Sequence, residues 1–106
     1  MRLVDVHCHL DSPAFERRLH DLLETARSAG VCAWISAAIH PSGWEAVRML
    51  SRCHAGVYHA LGVHPWYCSD DSLPLIPSLA SQASEAVAIG EIGLDSKRPV
   101  FPLERQ

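Results

Sequence analysis

His7 and His9 stand two residues apart at the end of a short strand-like run, Leu3 to Cys8, and this pair is the sharpest chemical signal in the chain. Side chains alternate along a strand, so residues i and i+2 project to one face and two imidazoles can converge on one ion. Zinc takes imidazole nitrogen at about 2.0–2.1 Å. Seven histidines in 106 residues make chance pairs more frequent, so the strand-end position is what favours the metal reading. Glu91 directly follows the apolar run Val87-Ala88-Ile89-Gly90. A carboxylate there is costly to bury unless something cationic meets it, a metal ion in one reading and a lysine or arginine in the other. A glutamate can also bridge two ions about 3.5–4 Å apart, one activating water while the other holds a substrate oxygen. Glu91 is therefore both a candidate ligand and the candidate catalytic group. His64, just before Pro65, is a candidate for orienting substrate or stabilising developing charge, against the alternative of a histidine packed at a turn. Asp5 and Asp95 are expected to hold a ring nitrogen or cap a turn. His20, His40, His54 and His59 have no partner at useful spacing and receive no role.

The elements that must carry these groups follow from periodicity. After the first strand, Asp11-Ser12-Pro13 reads as a cap followed by a proline in the first helical turn. Phe15, Leu19, Leu22, Leu23, Ala26 and Ala29 then recur at helical spacing, and Gly30 closes that helix. Val31 to Ala38 is nearly continuous apolar sequence, as expected for a parallel strand buried on both faces. Ser42-Gly43-Trp44-Glu45 matches a capping box, with Trp44, Val47 and Leu50 supplying the apolar stripe of a second helix. Val57 to Val63 reads as a third strand. A proline-punctuated stretch through Leu75, Ile76 and Leu79 reads as a poorer third helix, and Ala86 to Gly90 as a fourth strand. The order β-α-β-α-β-α-β, in units of about 30 residues, predicts a parallel α/β sheet with right-handed crossovers. In such folds the active site lies at the C-terminal ends of the strands, where Asp5, His7, His9, His64, Glu91 and Asp95 fall.

Composition narrows the function classes. With 48% hydrophobic and 20% charged residues, the chain has the makings of a packed core and not of a disordered tail. A formal net charge of −3 with dispersed Lys and Arg lacks the basic footprint of sequence-independent nucleic-acid binding, without excluding a phosphate substrate. The longest apolar run, Val31 to Ile39, is too short for a signal or membrane span, which makes a soluble cytoplasmic protein the expectation. Cys8, Cys32, Cys53 and Cys68 show no C-x-x-C spacing and read as reduced structural thiols. A complete eight-stranded barrel normally needs roughly 250 residues, so at most half of one is expected here.

Three ordered segments resemble a known family. Val4-Asp5-Val6-His7-Cys8-His9-Leu10-Asp11 resembles the opening D-x-H-x-H-L-D of the TatD-type metal-dependent hydrolases. Leu61-Gly62-Val63-His64-Pro65 resembles their L-G-[IV]-H-P, and Ala88-Ile89-Gly90-Glu91-Ile92-Gly93-Leu94-Asp95 their A-I-G-E-I-G-L-D. The resemblance covers essentially the whole chain. It implies an amidohydrolase-like TIM barrel of which residues 1–106 are the N-terminal half, with the C-terminal half absent. It further implies a site for two divalent cations, zinc, magnesium or manganese, and hydrolysis of phosphodiester bonds in DNA or another phosphoester. By that resemblance His7 and His9 ligate one ion, Glu91 bridges both, and His64 lies near the bound phosphate. The family pattern also requires two further histidines and an aspartate from later strands, which this sequence does not supply, so the expected site is incomplete. Two other readings stand beside the enzyme. One is a non-catalytic half-barrel that self-associates through its open sheet edges. The other is a single-metal module built on His7, His9 and Glu91.

Overall fold

Each link between consecutive strands is long enough to hold a helix, and the strands pair in chain order, all parallel. The computed structural model describes residues 1–98 and 100–106. Strands β1 (Leu3–Cys8), β2 (Val31–Ala37), β3 (Val57–Leu61) and β4 (Ala88–Ile89) form one sheet in the order β1-β2-β3-β4. Helices α1 (Leu19–Ser28), α2 (Trp44–Cys53) and α3 (Ile76–Gln82) occupy the three crossovers. The parallel α/β order expected from the alternation, and the half of a TIM barrel that the resemblance implies, are the fold observed: four parallel strands with flanking helices.

Alternation along β2 separates two faces. Trp34 packs with Leu10, Leu19, Leu23 and Val57, while Ala38, Trp44, Val47, Leu61, Val63 and Cys68 form a second cluster under α2. Full burial of a side chain such as Leu23 or Leu61 contributes about 1.5–3 kcal/mol relative to exposure. The intervening residues Ile35, Ala37 and Ala60 line the other face, whose edges stay open. No residue of β2 is exposed, but Val31, Cys32, Ala33 and Ile35 are only half-buried, so the burial expected on both faces of that strand is partial.

Local signals and tertiary anchors disagree at four places. The first helix begins at Leu19, not Pro13: the amides of Phe15 and Arg18 bond the carbonyls of Ser12 and Phe15, a spacing too tight for an α-helix. The buried Ser36 hydroxyl holds the Leu10 amide at 3.0 Å, which ties the start of that connection to β2 before a helix can form. The capping box does not form either. Ser42 lies in a 3-10 turn, Pro41–Gly43, with its hydroxyl 2.9 Å from His40 Nδ1, and Gly43 precedes α2 without a side-chain cap. β3 ends at Leu61 because the indole N–H of Trp44 takes the Gly62 carbonyl at 2.9 Å. β4 is reduced to Ala88 and Ile89, paired with Ala60 and Leu61. Gly30, as expected, closes the first helical connection, with φ 102°, a left-handed conformation that disfavours any side chain. Among the described residues no helix is long and apolar enough to cross a membrane.

His59, to which the sequence assigned no role, is buried on β3 at 4% exposure. The Ser51 hydroxyl donates to the Arg48 carbonyl at 2.8 Å, so its contact at 2.8 Å with His59 Nδ1 is accepted from an Nδ1–H. Nε2 is left with a buried lone pair and no partner among the described residues. Burial, with the Arg48 guanidinium nearby, holds this imidazole below its ordinary pKa. A lowered folded-state pKa contributes stability that is present above the unfolded value and lost as pH falls through the folded one. We expect the urea midpoint to drop more for the wild type than for His59→Gln between about pH 7 and about pH 5. Equal drops in the two proteins would show that His59 does not carry this dependence.

Candidate active site at the strand ends

The C-terminal ends of β1, β3 and β4 deliver the polar groups to one place. Nε2 of His9 lies 3.0 Å and Nε2 of His7 3.5 Å from Glu91 Oε1, and Nε2 of His64 lies 3.7 Å from Oε2. One donor atom each from His7, His9 and Glu91 fall within 4.8 Å of one another, close enough to share a metal ion. The two imidazoles stand edge to face, 5.1 Å between centroids. His7 and Glu91 border a hollow of about 300 Å³ whose apolar wall is Ile35, Ala37, Ala60 and Ile89. A larger hollow of about 580 Å³ lies elsewhere, lined by Leu10, Pro13, Leu19, Leu50 and His54, and touches none of these groups. Size alone would point to the wrong cavity.

Glu91 reaches its position through a close backbone approach. Its amide bonds the Ala38 carbonyl at 3.2 Å, and the Gly90 amide bonds the Leu61 carbonyl at 2.9 Å. A Cβ on Gly62 would stand 2.6 Å from the Gly90 carbonyl carbon and 2.8 Å from the Glu91 nitrogen. Only glycine lets the main chain of Glu91 pass over the end of β3.

Hydrogen bonds at Nδ1 set what each imidazole presents at Nε2. His9 Nδ1 lies 2.9 Å from the Ala37 carbonyl, so it must carry a proton there, and neutral His9 turns an Nε2 lone pair towards Glu91. Two acceptors 3.0 Å apart repel unless a proton or a metal cation sits between them. That donor set therefore fits a cation. His64 is the reverse case: its Nδ1 accepts the Trp66 amide at 3.1 Å, so the neutral ring carries its proton on Nε2 and presents a donor. A donor there suits a substrate oxygen better than a metal.

The remaining sequence candidates have structural partners. Asp5 Oδ1 accepts the His7 amide at 3.1 Å and holds no ring nitrogen. Asp95 Oδ1 caps a turn by accepting the amides of Lys97 and Arg98, and its Oδ2 accepts the indole N–H of Trp66 at 2.7 Å. Those amides and that indole hold the Asp95 carboxyl below its ordinary pKa. Cys8, between the two histidines, turns its thiol to the Ile35 carbonyl, and burial pushes its pKa up to about 12. All four cysteines are free. Sequence reasoning did not single out Trp66 or Arg98; an aromatic two residues after His64 was the one available sign.

Comparison with known proteins follows the same lines. The family described as TatD related DNase matches residues 4–106. A deoxyribonuclease of Homo sapiens, TATDN3, is 38% identical over 88% of this chain and 38% of its own length. The Cronobacter turicensis protein named 3'-5' ssDNA/RNA exonuclease TatD is 31% identical over 91% of this chain and 37% of its own. The crystal structure of YjjV, a TatD homologue from Escherichia coli, superposes with a TM-score of 0.77 at 35% identity, covering 98% of this chain and 40% of that one. The chain thus spans about two fifths of the length of the relatives it matches.

At mildly alkaline pH without metal, nitrogen-15 imidazole spectra should report the Nδ1–H tautomer for His9 and the Nε2–H tautomer for His64. The same tautomer in both rings would contradict the hydrogen-bond assignment.

Proposed function

We propose, given that this chain belongs to the TatD related DNase family, that its strand ends form part of a divalent-metal site for hydrolysis of phosphodiester bonds, with DNA as substrate. The observation that carries this reading is the His9 lone pair facing a carboxylate oxygen at 3.0 Å, beside a second imidazole. His7 and His9 would ligate one ion, and Glu91 would ligate it and a second. Relatives named as a metal-dependent hydrolase and as an ssDNA/RNA exonuclease support this choice of cofactor and substrate. Bound divalent cations lower the pKa of water and offset charge on phosphate oxygens. Zinc, magnesium and manganese all accept this donor set, the two imidazoles favouring zinc.

The residues of this chain have separable tasks. His9 is held by the Ala37 carbonyl, which fixes its ring and raises its basicity as a ligand. Glu91, with its side chain 20% exposed, sits where a proton can be passed to or from water. His64, whose Nε2–H faces Glu91 Oε2 at 3.7 Å, would donate to a non-bridging phosphate oxygen. Three protein ligands are about the minimum for one catalytic ion, and two ions need more. The further ligands therefore come from outside these 106 residues, which we read as the N-terminal part of the barrel. A cytoplasmic location accords with this reading.

A second reading is favoured by the open edges: Val4, Val6, Ile89, Ile92 and Leu94 are all exposed. In it the half-barrel is non-catalytic and pairs its edges with a second copy. Light scattering decides this. A dimer at micromolar concentration is expected, and an inert, stable monomer would remove it.

For the enzymatic reading, metal-dependent cleavage of an oligodeoxynucleotide is expected only when the rest of the barrel is supplied and not from residues 1–106 alone, with bound zinc measured by mass spectrometry. Substitutions His7→Ala and Glu91→Gln should each weaken metal affinity by about 10–100-fold or more. Unchanged metal occupancy in both variants would remove the metal site.

A further inference from the structure

Beside the carboxylate and imidazoles, the rim carries an aromatic cluster that the hydrolytic reading leaves unused. Trp66 and Tyr67 both stand edge-on to the His64 ring, with centroids 5.1 and 6.1 Å away and planes at 79° and 71°. His64 in turn points Nε2 at Glu91, so the indole lies one imidazole away from the candidate metal site. Its orientation is fixed, because the indole N–H donates to Asp95 Oδ2 at 2.7 Å. The same carboxylate, through Oδ1, holds the amides of Lys97 and Arg98 at 2.9 Å each. Asp95 therefore sets both the ring and the turn that brings the Arg98 guanidinium over its face, 4.9 Å from the centroid.

That face is covered by an exposed, flat cation, with Trp66 itself only partly buried. Among the described residues Arg98 makes no ion pair. A guanidinium and a nucleobase are both planar groups that stack on indole. An arginine displaced from the ring remains beside it, charged and able to pair with a phosphate.

We propose that Trp66 is a base-stacking residue for single-stranded nucleic acid. The base next to the scissile phosphate takes the face now covered by Arg98, and Arg98 turns outward to the adjoining phosphate. The proposal rests on the phosphodiesterase reading and assigns a specificity determinant to it. A duplex keeps its bases stacked on each other, so this surface selects unpaired nucleotides. No bond is made or broken in this step.

The test compares binding of a short dye-labelled oligothymidylate with that of an abasic strand carrying the same phosphates, by fluorescence anisotropy with chelator present. The wild type should prefer the base-bearing strand about tenfold. Trp66→Ala should abolish the preference while leaving abasic affinity unchanged, which also reports that the variant is folded. Trp66→Phe, which keeps a ring but not the bond to Asp95, should retain most of it. Equal binding of the two strands by the wild type, or an equal loss on both in Trp66→Ala, would overturn the stacking role. If the metal-loaded protein cleaves phosphodiesters in that case, the hydrolytic reading survives without it. Metal-loaded protein that hydrolyses other bonds but no phosphodiester would remove both.

Discussion

A nitrogen lone pair held 3.0 Å from a carboxylate oxygen needs positive charge between them, and this constraint organises the strand ends. It exists because the Ala37 carbonyl, at the end of β2, takes the only ring proton that neutral His9 has. A neighbouring strand thus decides which nitrogen the histidine offers. His64 meets the opposite constraint from its own chain: the Trp66 amide uses its Nδ1 lone pair and leaves a donor facing the same carboxylate. Two histidines of one residue type, at one carboxylate, become an acceptor and a donor through backbone hydrogen bonds alone. That division is what lets a proposed cation and a proposed phosphate oxygen lie side by side without competing for the same group.

Holding the carboxylate between them is a matter of backbone packing. Gly62 has no Cβ, so the Gly90–Glu91 segment crosses the end of β3 in contact with it. The Ala38 carbonyl then receives the Glu91 amide. Trp44, buried under the sheet, takes the Gly62 carbonyl and stops β3 from running on into this crossing. Core and site share these atoms: a change in the apolar cluster around Trp44, Val47 and Leu61 is transmitted to Glu91 through one peptide group.

Much of this was legible in the residues. Strand β1 and the alternation of strands and helices followed from periodicity, because each unit buries one stripe against one neighbour. His7, His9, His64 and Glu91 were picked out by their places at strand ends, and the structure does bring them together. The first turn of α1 and the capping box were misread because a competing hydrogen bond took each local signal. Asp11-Ser12-Pro13 and Ser42-x-x-Glu45 are local signals worth about 1 kcal/mol each. The first loses to an anchor set by a distant residue, Ser36 holding Leu10, and the second to a local contact, Ser42 with His40 Nδ1. The tautomers of His9 and His64, the passage over Gly62 and the Asp95–Trp66–Arg98 arrangement depend on which strand lies beside which, information that no local spacing carries.

The open edges bear on function as well as on assembly. β1 and β4 are the outer strands; β1 carries His7, and Glu91 follows two residues after β4. Each has a neighbour on one side only, and apolar residues Val4, Val6 and Ile89 lie exposed along them. A strand paired with either edge would also restrain the spacing of the two side chains. A change of 1 Å between them alters metal coordination more than it alters core packing, because a bond to a metal tolerates only a few tenths of an ångström. The fold and the candidate site therefore have different requirements. The core clusters are buried within these elements, whereas His7 and Glu91 each lie beside an open edge, so their spacing is held less firmly than the packing beneath them.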